Sequence, residues 1–136
     1  MIKYYPLDIG IAFKANNSDL VNFHWETNRI WADFRLPGYE GSVIRVTFDN
    51  QCIVRIIDEM PLSTESDPAD WEGLIPDHFA YLVEGAAFMQ MQSITWKEIT
   101  GARHYQFCTG WACLDVISAA EPTFEVLSSA LTPAAE

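Results

Sequence analysis

The longest alternation of apolar and polar positions covers residues 78–92, HFAYLVEGAAFMQMQ. On an extended chain every second side chain points to the same side of the strand. The odd positions here are all apolar or small: Phe79, Tyr81, Val83, Gly85, Ala87, Met89 and Met91. This pattern predicts a central strand with one dry face, kinked or bulged at Gly85. A helix is the alternative, because Ala, Met, Leu and Glu are good helix formers.

Alternation also predicts strands in residues 2–5 and 8–15, with a turn at residues 16–18. Residues 20–36 predict a hairpin about Thr27 and Asn28. Its core face pairs Trp25 with Ile30, Phe23 with Ala32 and Val21 with Phe34, whereas its outer face pairs His24 with Trp31, Asn22 with Asp33, Leu20 with Arg35 and Glu26 with Arg29.

Residues 42–49 and 52–58 predict a second hairpin, in which a three-residue loop pairs Phe48 with Cys52. That register places Arg45 opposite Arg55, and like charges across a ladder destabilise it unless an anion lies between them. Glu84 on the polar face of the central strand is the expected partner. An anionic ligand clamped by the two guanidinium groups is the alternative.

The acidic segment, residues 58–77, contains seven acidic residues and no basic residue, and has the composition of a loop. Asp67 as N-cap followed by Pro68 predicts a short helix, which Gly73 would end. A second short helix is predicted in residues 93–102, with Thr95 and Glu98 at capping-box spacing and Gly101 as its end.

A last hairpin is predicted from residues 104–109 and 112–118, turning at Gly110 and Trp111, before a final strand at residues 124–127. The whole pattern predicts a mostly β domain with about eight strands and two short helices. The expected architecture is an antiparallel β-sandwich or a strongly curved, partly closed sheet. A chain of 136 residues suits one domain, residues 1–136.

The composition excludes several partner classes. A net charge of −11 repels phosphate backbones and anionic lipids, so we expect neither nucleic acid nor membrane as a partner. The N-terminus lacks an apolar stretch followed by a cleavage site, which indicates a cytoplasmic protein. The three cysteines, at positions 52, 108 and 113, do not fit a disulfide framework, and no metal or cofactor is predicted.

No glycine-rich phosphate loop, nucleophile elbow or HExxH pattern is present, which favours a non-enzymatic protein with no catalytic residues. The first candidate site combines a titrating ring, a stacking surface, a carboxylate and a cation on the first hairpin: His24, Trp31, Asp33 and Arg35. A solvated β-face with a cross-strand ion pair is the alternative. His104 and Asp115 are weaker candidates, with His104 interpreted as a hydrogen-bonded structural residue.

Residues 79–122 carry FAYLVEG, HYQF, CLDVIS and EP, and this stretch resembles small bacterial accessory-genome proteins of uncharacterised or immunity-type function. The resemblance implies a compact β-rich domain that binds or neutralises another protein. It carries no catalytic motif and assigns no residue.

We therefore expect a protein-interaction domain that recognises a basic or amphipathic protein partner, with the acidic segment as a charged rim and Trp71 as an aromatic anchor. The alternative is a small-molecule binding module, or an enzyme derived from one, whose pocket is lined by aromatic and methionine side chains: Tyr81, Phe88, Met89 and Met91. A homodimer is also expected, because an open sheet leaves edge strands to cover.

Overall fold

The computed structural model describes residues 1–128. Over this range the chain forms ten strands and three short α-helices. The strands are β1 (Ile2–Pro6), β2 (Leu20–Glu26), β3 (Arg29–Arg35), β4 (Ser42–Phe48), β5 (Cys52–Asp58), β6 (Trp71–Glu72), β7 (Ala80–Glu84), β8 (Arg103–Phe107), β9 (Ala112–Ser118) and β10 (Thr123–Ser128). The helices are α1 (Glu59–Ser63), α2 (Ala87–Gln90) and α3 (Ile94–Thr100), and Ala15–Asn17 and Pro68–Asp70 form single 3₁₀ turns.

The strands form two sheets. Sheet A has the order β5-β9-β8-β7-β1-β6 and sheet B the order β10-β4-β3-β2, and all neighbours are antiparallel except β1 and β6. Buried side chains of both sheets share one core, in which the Phe34 and Phe107 rings lie 6.2 Å apart and those of Phe48 and Tyr105 5.4 Å apart. The predicted mostly β fold and its sandwich form are confirmed.

The first hairpin has the predicted register from Asn22 to Asp33, with His24 opposite Trp31. A bulge at Val21 shifts the pairing beyond this point, so Leu20 pairs with Phe34 rather than Arg35. The last hairpin and the final strand are also confirmed. The 3₁₀ turn at Pro68 begins as predicted, because the Asp67 carboxylate accepts a hydrogen bond from the Ala69 backbone N–H at 3.0 Å.

The prediction of a second hairpin is wrong. Strand β4 pairs with β3 and β10 in sheet B, whereas β5 pairs with β9 in sheet A, and residues 49–51 cross between the sheets. Both strands present one apolar face to the shared core. Their alternation of apolar and polar residues is therefore as compatible with strands in two different sheets as with a hairpin. The partner of a strand does not follow from its own alternation.

Two other strands are shorter than predicted. The central strand stops at Glu84, because Gly85 has a φ of 92° and its position lies against the Met1 backbone carbonyl. The good helix formers that follow make α2 instead. Residues 8–14 form no strand although Ile9, Ile11 and Phe13 pack against the core. Helix α3 ends at Gly101 as predicted, but its N-cap is Ser93 and not Thr95.

Candidate functional site

A second buried layer lies on the outer face of sheet A. Alternation along β8 sends Tyr105 and Phe107 into the core, and therefore sends His104 and Gln106 to the opposite face. The acidic segment covers this face, with β6 pairing alongside β1 and α1 contacting β5 and β9. Polar side chains that point away from the core are thus withdrawn from solvent.

The Asp115 carboxylate is the centre of this layer and is fully buried. Its Oδ1 accepts hydrogen bonds from His104 Nε2 at 2.7 Å and from Gln106 Nε2 at 2.9 Å. Its Oδ2 accepts two from Arg55, from Nε at 3.0 Å and from a terminal nitrogen at 2.7 Å. Four donors from two other strands therefore converge on one carboxylate.

These bonds determine the charge of Asp115. Burial raises the pKa of this carboxyl group, but the hydrogen bonds from His104, Gln106 and Arg55 lower it by a larger amount. The pKa therefore lies below its ordinary value of 3.8. An ionised carboxylate can only accept, so the proton in the contact with His104 lies on Nε2.

The second ring nitrogen of His104 has no protein partner. His104 is 1% exposed, and its Nδ1 is the buried side-chain polar atom that lacks a hydrogen bond among residues 1–128. In the neutral imidazole with a proton on Nε2, Nδ1 is an acceptor. Buried polar atoms are rarely left unpaired, because the lost hydration costs about 1–3 kcal/mol.

Arg55 joins this cluster to the acidic segment. Its guanidinium group donates to Glu65 through both terminal nitrogens, one of them at 3.0 Å, as well as to Asp115. The central carbon of the group lies over the Phe88 ring, 4.5 Å from its centroid. Two carboxylates therefore neutralise Arg55 and use four of its donor positions.

A cavity of about 190 Å³ lies between this polar layer and the acidic segment. His104, Gln106, Arg55 and Glu65 form its polar part. The remaining wall is largely apolar or small and consists of Ile2, Tyr4, Asn16, Glu59, Leu62, Ser63, Ser66, Trp71, Leu74, Ala86, Ala87, Cys108, Thr109 and Cys113. Burial raises the pKa of the Tyr4 hydroxyl to about 12, so this wall residue remains a neutral phenol at physiological pH.

The thiols of this wall are not nucleophiles at neutral pH. Burial raises the pKa of both Cys108 and Cys113, which keeps them protonated. The Cys108 thiol contacts Gln106 Oε1 at 3.6 Å and not His104. Over residues 1–128 no group of three or more His, Cys, Asp or Glu side chains is placed to hold a metal ion, and no helix is long and apolar enough to span a membrane.

The first predicted site lies on the outer face of sheet B, away from the cavity. His24 stacks on Trp31 at 3.9 Å, and Arg45 lies 5.1 Å from the same ring. Asp33 forms a two-pronged ion pair with Arg45, with distances of 2.7 and 3.0 Å. Arg35 points to the Asn17 carbonyl and does not join them. The predicted alternative of a β-face with a cross-strand ion pair describes this surface.

Two further site predictions need correction. Arg45 and Arg55 are in different sheets, where Asp33 and Asp115 neutralise them, so Glu84 does not link them. Glu84 instead accepts a hydrogen bond from the Tyr5 hydroxyl at 3.3 Å.

Trp71, predicted as an aromatic anchor for a partner, is half-buried in the cavity wall, and its indole N–H donates to the Ser66 hydroxyl at 2.7 Å. Among residues 1–128, the wall of this cavity contains none of the four side chains expected to line a pocket, Tyr81, Phe88, Met89 and Met91.

His104 and Asp115 were only the weakest of the candidates predicted from the sequence, and Gln106 and Glu65 were not predicted. A signal for part of the cluster exists, because a turn at Gly110 and Trp111 places Gln106 opposite Asp115, as observed. The next residue of β8 on that face is His104. Comparison of the chain with protein-family models, with curated proteins and with solved structures found no match.

Proposed function

We propose that this protein binds a small molecule in the cavity between sheet A and the acidic segment. The observation that carries the proposal is the unpartnered Nδ1 of buried His104 in the wall of that cavity. A bound molecule that pairs with Nδ1 would remove the cost of leaving it unsatisfied.

The size of the cavity limits the ligand. A volume of about 190 Å³ is comparable with the cavity of about 150 Å³ that accepts benzene in an engineered protein. The ligand is therefore of the size of a single substituted ring. Tyr4 and Trp71 offer aromatic contact area, while His104 provides a polar group that fixes orientation.

Ligand-observed NMR with a set of monocyclic compounds tests the proposal. Ala86 lines the cavity, so Ala86→Phe should fill it and abolish binding. The matched control is Ala69→Phe, at an exposed position outside the wall, which should leave binding unchanged. The proposal fails if no compound binds the native protein, or if both variants bind equally well.

Recognition of a basic or amphipathic protein is a second proposal, supported by the exposure of all seven acidic residues of the acidic segment. Such a surface steers oppositely charged partners and favours fast association. Replacing Asp67, Asp70 and Glu72 with Asn or Gln should weaken capture of a cationic protein from the source cells at low salt. Equal capture by the native and substituted proteins would contradict this role.

A further inference from the structure

The strong hydrogen-bond donors of the cavity wall are mostly in use, whereas one buried acceptor is not. This difference limits the chemistry of the ligand. Arg55 is the strongest donor in the wall, but Asp115 and Glu65 use four of its five donor positions. The amide nitrogen of Gln106 is also bound to Asp115. The buried side-chain polar atom that lacks a partner among residues 1–128 is an acceptor, Nδ1 of His104.

The charges of the wall disfavour an anion. Arg55 is the cation of the cluster, and it faces Asp115 and Glu65, while Glu59 also lines the cavity. Two carboxylates therefore pair with one guanidinium group, and a third carboxylate lines the cavity. A ligand carboxylate or phosphate would have to displace Glu65 from Arg55 and would meet like charge.

A cationic ligand meets a different obstacle. The carboxylates of Asp115 and Glu65 already have a paired cation, and much of the remaining wall is apolar. An ammonium group entering this space would lose its hydration, and Glu59, the carboxylate in the wall that forms no ion pair with residues 1–128, is exposed to solvent and replaces little of it. A neutral donor loses less on entering.

On the basis of the proposed function, we infer that the cavity takes a neutral aromatic molecule with one hydrogen-bond donor, a phenol or an N–H heterocycle, and that this donor binds Nδ1 of His104. Asp115 fixes the ring by accepting from Nε2 at 2.7 Å, which holds the imidazole in one orientation and leaves Nδ1 as its unpaired nitrogen. The Phe88 ring packs edge-on against the imidazole with centroids 5.6 Å apart and restricts its rotation.

Titration calorimetry with four probes of similar size tests the inference: phenol, toluene, benzoate and benzylamine. Phenol and toluene have the same number of heavy atoms and differ in the donor. Phenol should bind at least about tenfold more tightly than toluene, because toluene leaves Nδ1 unpaired. Benzoate and benzylamine should bind more weakly than phenol.

The variant His104→Phe should reduce the phenol preference to within about twofold of toluene, because it removes the acceptor. His24→Phe is the matched control, since His24 stacks on Trp31 in sheet B and lies outside the cavity wall. This control should retain the full preference. If His104→Phe does not fold, the comparison of phenol with toluene on the native protein tests the inference.

The outcomes separate the two proposals. If none of the four probes binds, the proposed function itself is wrong. If toluene binds as tightly as phenol, the cavity binds small molecules but His104 does not select a donor. If benzoate or benzylamine binds most tightly, the ligand is charged and the inference is overturned.

Discussion

Replacing Asp115 with Asn should be one of the most destabilising conservative changes in the protein. The change keeps the size of the side chain but removes its charge, and the new amide N–H₂ must face donors of either Arg55 or His104 and Gln106. Removing one partner of a buried ion pair costs about 3–5 kcal/mol. Arg55 is 25% exposed and keeps Glu65, so we expect the lower end, about 3 kcal/mol.

Urea denaturation followed by tryptophan fluorescence measures this cost. With a slope of about 1–3 kcal/mol per molar urea, the midpoint should fall by roughly 1–3 M. Asp49→Asn is the matched control, because Asp49 also pairs with one arginine, Arg29, but the side chains of this pair are 66% and 53% exposed. We expect this control to lose about 1 kcal/mol. An Asp115→Asn loss as small as the control's would refute the central role of this carboxylate.

Further predictions concern pH, backbone packing and assembly. Because the pKa of Asp115 is lowered in the folded state, its contribution to stability is present above its ordinary value of 3.8 and is lost as the pH falls through the lower folded value. Below about pH 4, the free energy of unfolding of Asp115→Asn should therefore depend less steeply on pH than that of the native protein. Urea titrations at several pH values measure this dependence, and the same pH dependence in both proteins would contradict the prediction. Gly73→Ala should lower the free energy of unfolding by at least about 1 kcal/mol more than Gly38→Ala does. Both glycines have a positive φ, but a Cβ at Gly73 would lie 2.2 Å from the Tyr4 backbone oxygen, whereas a Cβ at Gly38 would meet no atom within 4 Å. Thermal melts of both variants compare them, and equal melting temperatures would be the contrary result. The homodimer remains a prediction, and sedimentation showing only a 15.4 kDa species would count against it.

Local sequence signals predicted much of the fold. Alternation and turn residues identified the first and last hairpins, since both strands of each lie next to each other in sequence and in space. The end of α3 at Gly101 and the start of the 3₁₀ turn at Pro68 followed from residues whose preferences are local.

The remaining fold depends on distant pairing. Strand β5 pairs with β9, and β1 lies between β6 and β7. Neither arrangement can be predicted from the alternation of apolar and polar residues within a single strand. Residues 8–14 alternate and bury their apolar side chains without pairing as a strand, because the core accepts side chains from any extended backbone.

The candidate site was harder to predict than the fold. Arg55 was identified as unusual, but its partners were assigned through the wrong hairpin register. Finding Asp115 and His104 required both the turn position of the last hairpin and the fact that the acidic segment covers the outer face of sheet A. A polar strand face next to solvent and one beneath a covering segment have the same sequence pattern.

The most direct test is side-chain ¹⁵N NMR of His104 in histidine-labelled protein, titrated with phenol. Before addition, Nε2 should carry the proton and Nδ1 should have the shift of an unprotonated acceptor. Saturating phenol should move the Nδ1 resonance toward that of a hydrogen-bonded nitrogen while His24 and His78 remain unchanged. A protonated Nδ1 in the free protein, or an Nδ1 resonance that phenol does not move, would contradict the proposal that this nitrogen receives the ligand.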